Sequence, residues 1–87
     1  MYNFPMIDMN KTGENICALR VQRGLSVRKL QAKMGFATPQ AIYKWQHGTA
    51  LPSVDNLVAL SAIFQVSVEE ILVLEKETAD EADDRIA

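Results

Sequence analysis

Residues 38–48 are TPQAIYKWQHG, and the two sides of this stretch decide the reading of the whole chain. Thr38 can cap a helix, Pro39 suits the first helical position where its missing N–H costs nothing, and Gly48 ends it. Advancing about 100° per residue, Ala41, Ile42 and Trp45 fall in one narrow arc. Gln40, Tyr43, Lys44 and His47 fall in another, nearly opposite. The first arc is core. The second offers an amide, a phenol, an ammonium and an imidazole, with no carboxylate. Gln pairs two-pronged with adenine N6 and N7, and Lys reaches guanine or a phosphate. Tyr and His bond phosphate or stack, and a helix start favours a phosphate oxygen. For this helix taken alone, the plain alternative is the wet side of an amphipathic helix.

Working outward, helix start and stop signals recur on both sides. Thr12 is placed to cap a first helix that holds Ile16 and Leu19 on one face and ends at Gly24. Ser26 caps a second, VRKLQAKM, which stops at Gly35. After the third, the residue before Pro52 is pushed out of helical geometry, so TALP is a loop. Ser53 opens a fourth helix, VDNLVALSAIF, with a stripe of Val54, Leu57, Leu60, Ser61 and Phe64. Ser67 to Glu70, SVEE, forms a capping box for a fifth, which turns Val68, Ile71 and Leu72 inward. Helices this short do not hold alone in water, so each depends on packing against the others. The sequence predicts an all-α domain of five helices over residues 12–74. An N-terminal arm, 1–11, precedes it, and an acidic tail, 75–87, either frayed helix or disordered, follows. Tyr2, Phe4, Met6, Ile7 and Met9 make the arm too apolar to be idle, so it packs back onto the domain or into a partner.

Charge narrows the function. The 87 residues carry a net charge of -2, but the total hides an asymmetry. Between Lys11 and Gln65, Lys11, Arg20, Arg23, Arg28, Lys29, Lys33 and Lys44 face only Glu14 and Asp55. The acidic sum comes from the end of the chain, Glu69 onward. A basic body suits a polyanionic partner. Cys17 is the only cysteine and His47 the only histidine, which excludes a disulfide within the chain and a metal cluster. No cofactor is implied, and an enzyme is not expected, because one thiol and one imidazole provide too little for a convergent catalytic site. No apolar run is long enough to span a membrane, and the start of the chain has no signal-peptide pattern. A cytoplasmic location is expected.

Two short helices joined through a glycine turn, the second amphipathic, form a helix-turn-helix unit. The carriers NICALRVQRGLSVRKLQAKMG and TPQAIYKWQHGTALPSVDNLVALSAIFQVSVEEIL resemble the Cro/phage-repressor type of helix-turn-helix domain, the XRE family. The most specific parts are LR..RGLS, I.KW..G...PS...L..L and VS.EE.L, in the right order and spacing, and the resemblance covers about two-thirds of the chain. It implies a lambda-repressor-like fold whose third helix, about residues 39–47, enters the major groove. Carried over by position, the resemblance makes Pro39, Gln40, Tyr43 and Lys44 the base-contacting residues. Arg20, Ser26, Arg28, Thr38, His47 and Thr49 become the phosphate contacts. Four departures stand out. Val27 replaces a common Gln and loses a side-chain bond to the DNA backbone, which Arg28 can offset. Gln31 stands where a small Ala lets the two helices approach. The turn GFATPQ is one residue longer than usual. Gln46 replaces a Glu that pairs with the Arg20 position, and an amide bonds a guanidinium more weakly than a carboxylate does.

The implied function is a sequence-specific DNA-binding transcriptional regulator with double-stranded DNA as partner. The competing reading is a protein-interaction module, such as an antitoxin, with DNA binding secondary. A homodimer on two half-sites is expected, through Ile63, Val73 and Leu74, which lie off the buried stripes, or through the N-terminal arm.

Overall fold

The structure, a computed structural model, describes residues 5–75. Residues 76–87 of the acidic tail, and the arm residues Tyr2 and Phe4, lie outside them. Five helices follow in order: α1 (Met9–Gln22), α2 (Val27–Met34), α3 (Gln40–Gln46), α4 (Val54–Phe64) and α5 (Val68–Ile71). Every helix contributes to one core: Ile16 from α1, Leu30 from α2, Ile42 and Trp45 from α3, Leu60 and Phe64 from α4, and Ile71 from α5. No helix among these residues is long and apolar enough to cross a membrane.

Three of the expected caps are in place. The hydroxyls of Ser26, Ser53 and Ser67 accept from the backbone N–H of Lys29, Asn56 and Glu70 at 3.0, 3.2 and 3.1 Å. Glu70 completes its box by accepting from the Ser67 N–H at 2.9 Å. Gly35 ends α2 in the left-handed conformation, φ +74°.

The start of α1 differs from the expectation. It begins at Met9, capped by the Asp8 carboxylate, which accepts from the Lys11 N–H at 2.9 Å. Thr12 lies inside the helix and is fully buried, and its hydroxyl accepts from the Val73 N–H at 2.9 Å. The side chain that was expected to start a helix instead ties α1 to a strand-like segment 61 residues away. That segment pairs with the N-terminal arm. Ile7 and Leu74 form an antiparallel bridge, with Asp8 N–H donating to Val73 C=O at 2.7 Å and Glu75 N–H to Met6 C=O at 2.8 Å. The described part of the arm therefore packs back onto its own domain.

The apolar pattern of α4 is also corrected. Val54, placed on the buried stripe, is 75% exposed, because the first residue of the helix projects past the end of the core. Ile63, expected to need a partner, is half-buried and packs against the core, so the covered arc is wider than the stripe predicted.

A contact that the helical pattern does not advertise holds α1 against α3. Gly13 is buried in the interior of α1, and a Cβ there would overlap the Trp45 carbonyl oxygen and crowd that of Gln46. Only a residue without a side chain permits this approach. At the neighbouring end of α3, Gly48 (φ +75°) lies against Asn10 in the same close manner. A second tie joins α1 to α5: the Asn15 amide donates to the Glu70 and Ile71 carbonyls at 2.8 and 2.9 Å, satisfying groups that a helix end leaves free.

Candidate nucleic-acid interface

The two arcs of the third helix separate as the spacing requires. Ile42 and Trp45 are 0% and 4% exposed, and Phe36 meets the Trp45 ring edge-on at 5.8 Å. Gln40, Tyr43, Lys44 and His47 are all exposed. Tyr43 and His47, one turn apart, lie nearly parallel, with ring centroids 6.3 Å apart and an interplanar angle of 21°. Gln40 and Lys44 are exposed on the same arc beside them. Along the sequence, no Asp or Glu occurs from residue 15 to residue 54, a span that holds Arg20, Arg23, Arg28, Lys29, Lys33 and Lys44. An exposed helix face that carries Lys44 and no carboxylate, within a basic stretch of chain, suits a polyanion.

The helix start is shifted by one residue from expectation. Pro39, half-buried, takes the cap position, and the helix begins at Gln40. Thr38 is exposed, and its hydroxyl only approaches the Gln40 N–H, at 3.5 Å. Proline at the cap has no side-chain oxygen to offer, so α3 begins with no side-chain cap bond. Thr49, exposed beyond the far end, donates from its hydroxyl to the Lys44 carbonyl at 3.2 Å, which pins the loop back onto the helix.

Around α3, Ser26 and Arg28 are exposed at the start of α2. The Ser26 oxygen accepts the capping bond but keeps its own O–H free to donate. Arg20 stands differently from the others. It is half-buried, and Nε donates to Gln46 Oε1 at 3.0 Å, Nη1 to the Leu25 carbonyl at 2.7 Å, and Nη2 to Cys17 Sγ at 3.5 Å. A guanidinium has five N–H donors, so these bonds leave two for anything outside. Arg20 therefore holds the end of α1, the following turn and the last residue of α3 together. The amide at position 46 keeps the pairing that a carboxylate would make.

The departures in α2 also have a visible outcome. Gln31 donates from its amide to the Phe36 carbonyl at 3.2 Å, bracing the turn between α2 and α3. Val27 is half-buried and packs against the core. Together with Arg28, Gln31, Ala32, Phe36, Pro39 and Tyr43 it lines an open groove of about 550 Å³ between α2 and the head of α3. Neither the groove nor the seam residues Gly13 and Asn15 were legible as functional. Their only signal is an apolar residue straight after a cap and a glycine inside a helix. Among the described residues there is no group of three His, Cys, Asp or Glu able to hold a metal ion.

Comparison with known folds agrees with this geometry. The restriction-modification controller protein C.AhdI from Aeromonas hydrophila is similar with a TM-score of 0.66 at 23% identity, over 74% of this chain and 96% of that one. The DNA-binding domain of BldD from S. venezulae is similar at 0.64 and 24% identity, over 75% and 96%. The clp gene regulator ClgR from C. glutamicum is similar at 0.65 and 17%, over 72% and 80%. No curated protein matches the chain. Likenesses at this identity show the fold. The family profile described as helix-turn-helix matches residues 18–71, well over half of the sequence, and the chain belongs to the helix-turn-helix family.

Proposed function

We propose that this protein is a sequence-specific DNA-binding transcriptional regulator that inserts α3 into the major groove. The observation that carries the reading is the exposed face of Gln40, Tyr43, Lys44 and His47, set in a stretch without a carboxylate. Gln40 and Lys44 read base edges, Gln40 by a paired bond to adenine and Lys44 to guanine O6 or N7. Pro39 and Tyr43 lie beside them. Arg28, Ser26, Thr38, His47 and Thr49 meet phosphates on either side of the groove, and Arg20 adds its two remaining donors at the end of α1. The phosphate contacts make binding fall steeply with salt. In this reading the protein is a cytoplasmic regulator and not an enzyme.

A single domain of this size offers a small interface, and a two-fold dimer on half-sites one helical turn apart supplies the rest. Ile63 packs inside, and besides Val21, Val54 and Val58, which are 62%, 75% and 59% exposed, the terminal ribbon offers apolar surface for that contact. There Met6 and Leu74 are 58% and 55% exposed and Val73 is half-buried. The deciding experiment is selection of bound sequences from random duplex DNA, with sedimentation of the free protein. A two-fold motif and a dimer are expected. Failure to enrich any sequence refutes the regulator, and a strict monomer on a single half-site refutes the dimer.

A further inference from the structure

The acidic tail is rooted close to the end of α3. At Glu75, the last described residue, the backbone N–H donates to the Met6 carbonyl, and Ile7 pairs with Leu74. Three residues after Ile7, Asn10 lies against Gly48, just past the end of α3. Covalent spacing along this path bounds the distance from Glu75 to Gly48 at about 25 Å. Asp84 stands nine residues beyond Glu75 and reaches up to ~30 Å from it, so the tail can round Gly48 to the exposed arc of α3.

Charge decides where such a tail settles. Residues 77–84, ETADEADD, carry five carboxylates and no base, between Lys76 and Arg85. The segments at the root, residues 5–8 and 67–75, hold Asp8, Glu69, Glu70 and Glu75 and no base, so they repel the run. The α3 face attracts it. Lys44 is exposed there with no carboxylate on its arc, and Arg28 lines one groove with Tyr43. Arg20 bonds Gln46 and keeps two donors. To these cations a run of carboxylates presents the charge and the acceptor oxygens of a phosphate backbone.

We propose that the acidic run 77–84 docks on the exposed face of α3 in the same chain and competes with DNA for Lys44, Arg28 and Arg20. The inference rests on α3 being the element that meets DNA. Exposed ion pairs are weak singly, but a short tether holds the run at an effective concentration in the millimolar range. Two or three such pairs favour the docked form by about three- to tenfold, and DNA affinity falls in proportion to the undocked fraction.

The test keeps the full chain and neutralises the run with Glu77→Gln, Asp80→Asn, Glu81→Gln, Asp83→Asn and Asp84→Asn, its fold checked by thermal melting. Without DNA, the backbone amide NMR shifts of Gln40, Tyr43, Lys44 and His47 should differ between parent and variant, equally at every protein concentration. On the selected operator at low salt the variant should bind about four- to elevenfold tighter, a gain that fades as salt rises. Unmoved α3 amides overturn the proposal even if affinity rises, because a tail that only repels DNA would raise it too. Shifts confined to the surroundings of Lys11, or shifts that grow with concentration, overturn it by placing the tail on α1 or on a second copy. Shifts on α3 with no gain in affinity overturn the competition. Failure of both chains to bind any duplex overturns instead the DNA reading beneath it, on which the DNA-free shifts do not depend.

Discussion

Gly13→Ala should unfold this domain more easily, against the usual effect of the exchange. In a helix interior, alanine is favoured over glycine by about 1 kcal/mol, so helix propensity alone predicts a more stable protein. Position 13 is different because the added Cβ meets backbone, the carbonyl oxygens of Trp45 and Gln46, and backbone cannot rotate aside as a side-chain tip can. Overpacking of a tight interior costs typically 1–3 kcal/mol, and a clash of this kind sits at the upper end. Setting about 3 against about 1 leaves a net loss of roughly 2 kcal/mol. For a domain of this size each kcal/mol moves Tm by ~4–8 °C, so a fall of roughly 8–16 °C is expected. Circular dichroism melting, with Trp45 fluorescence followed in parallel, reads both the helices and the seam itself. DNA affinity should also fall at temperatures where the variant is fully folded, because α3 must move away from α1. A Tm equal to or above that of the parent would refute the close approach of α1 and α3 as the reason for the glycine.

Three further outcomes are expected. Gln40→Ala should weaken binding to the selected operator by about 1–3 kcal/mol and to random DNA hardly at all, by gel shift at fixed salt; equal losses would show that Gln40 does not read bases. Arg28→Ala should weaken all sequences alike and lower the slope of log K against log salt by about 1, and an unchanged slope would remove Arg28 from the phosphate contacts. Gln46→Glu should raise stability by roughly 1 kcal/mol, because a charge-assisted bond to Arg20 replaces a neutral acceptor. Thermal melting without a gain would mean that the pair is too wet to matter.

The parts of the fold that were legible beforehand are those settled by neighbours in sequence. Ser26, Ser53 and Ser67 each bond a backbone N–H three residues on, and so declare their helices from local chemistry alone. Thr12 has the same side-chain chemistry but a different fate, because its partner is Val73, and nothing within a few residues reveals that. Val54 and Ile63 show the same limit on the wheel. Periodicity gives the direction of a side chain, but which directions are covered depends on where the other helices end. The interface divides likewise. The polar arc of α3 follows from its own spacing. The groove beside it needs the angle between α2 and α3, which Gln31 and Phe36 fix through a contact across the turn.

Seven residues without a side-chain cap would not hold a helix in water, so the conformation of α3 is a property of its surroundings. Those surroundings are mostly α1: Gly13 admits the carbonyls of Trp45 and Gln46, Arg20 grips the Gln46 side chain, and Asn10 meets Gly48. The contacts run along one side of α3 while Gln40 and Lys44 stand on the other, so the seam sets the direction in which the reading face points. A base-edge hydrogen bond tolerates only tenths of an ångström and a narrow range of angles. In the proposed complex, sequence preference therefore depends also on residues outside the reading face, and α1 determines how α3 is presented.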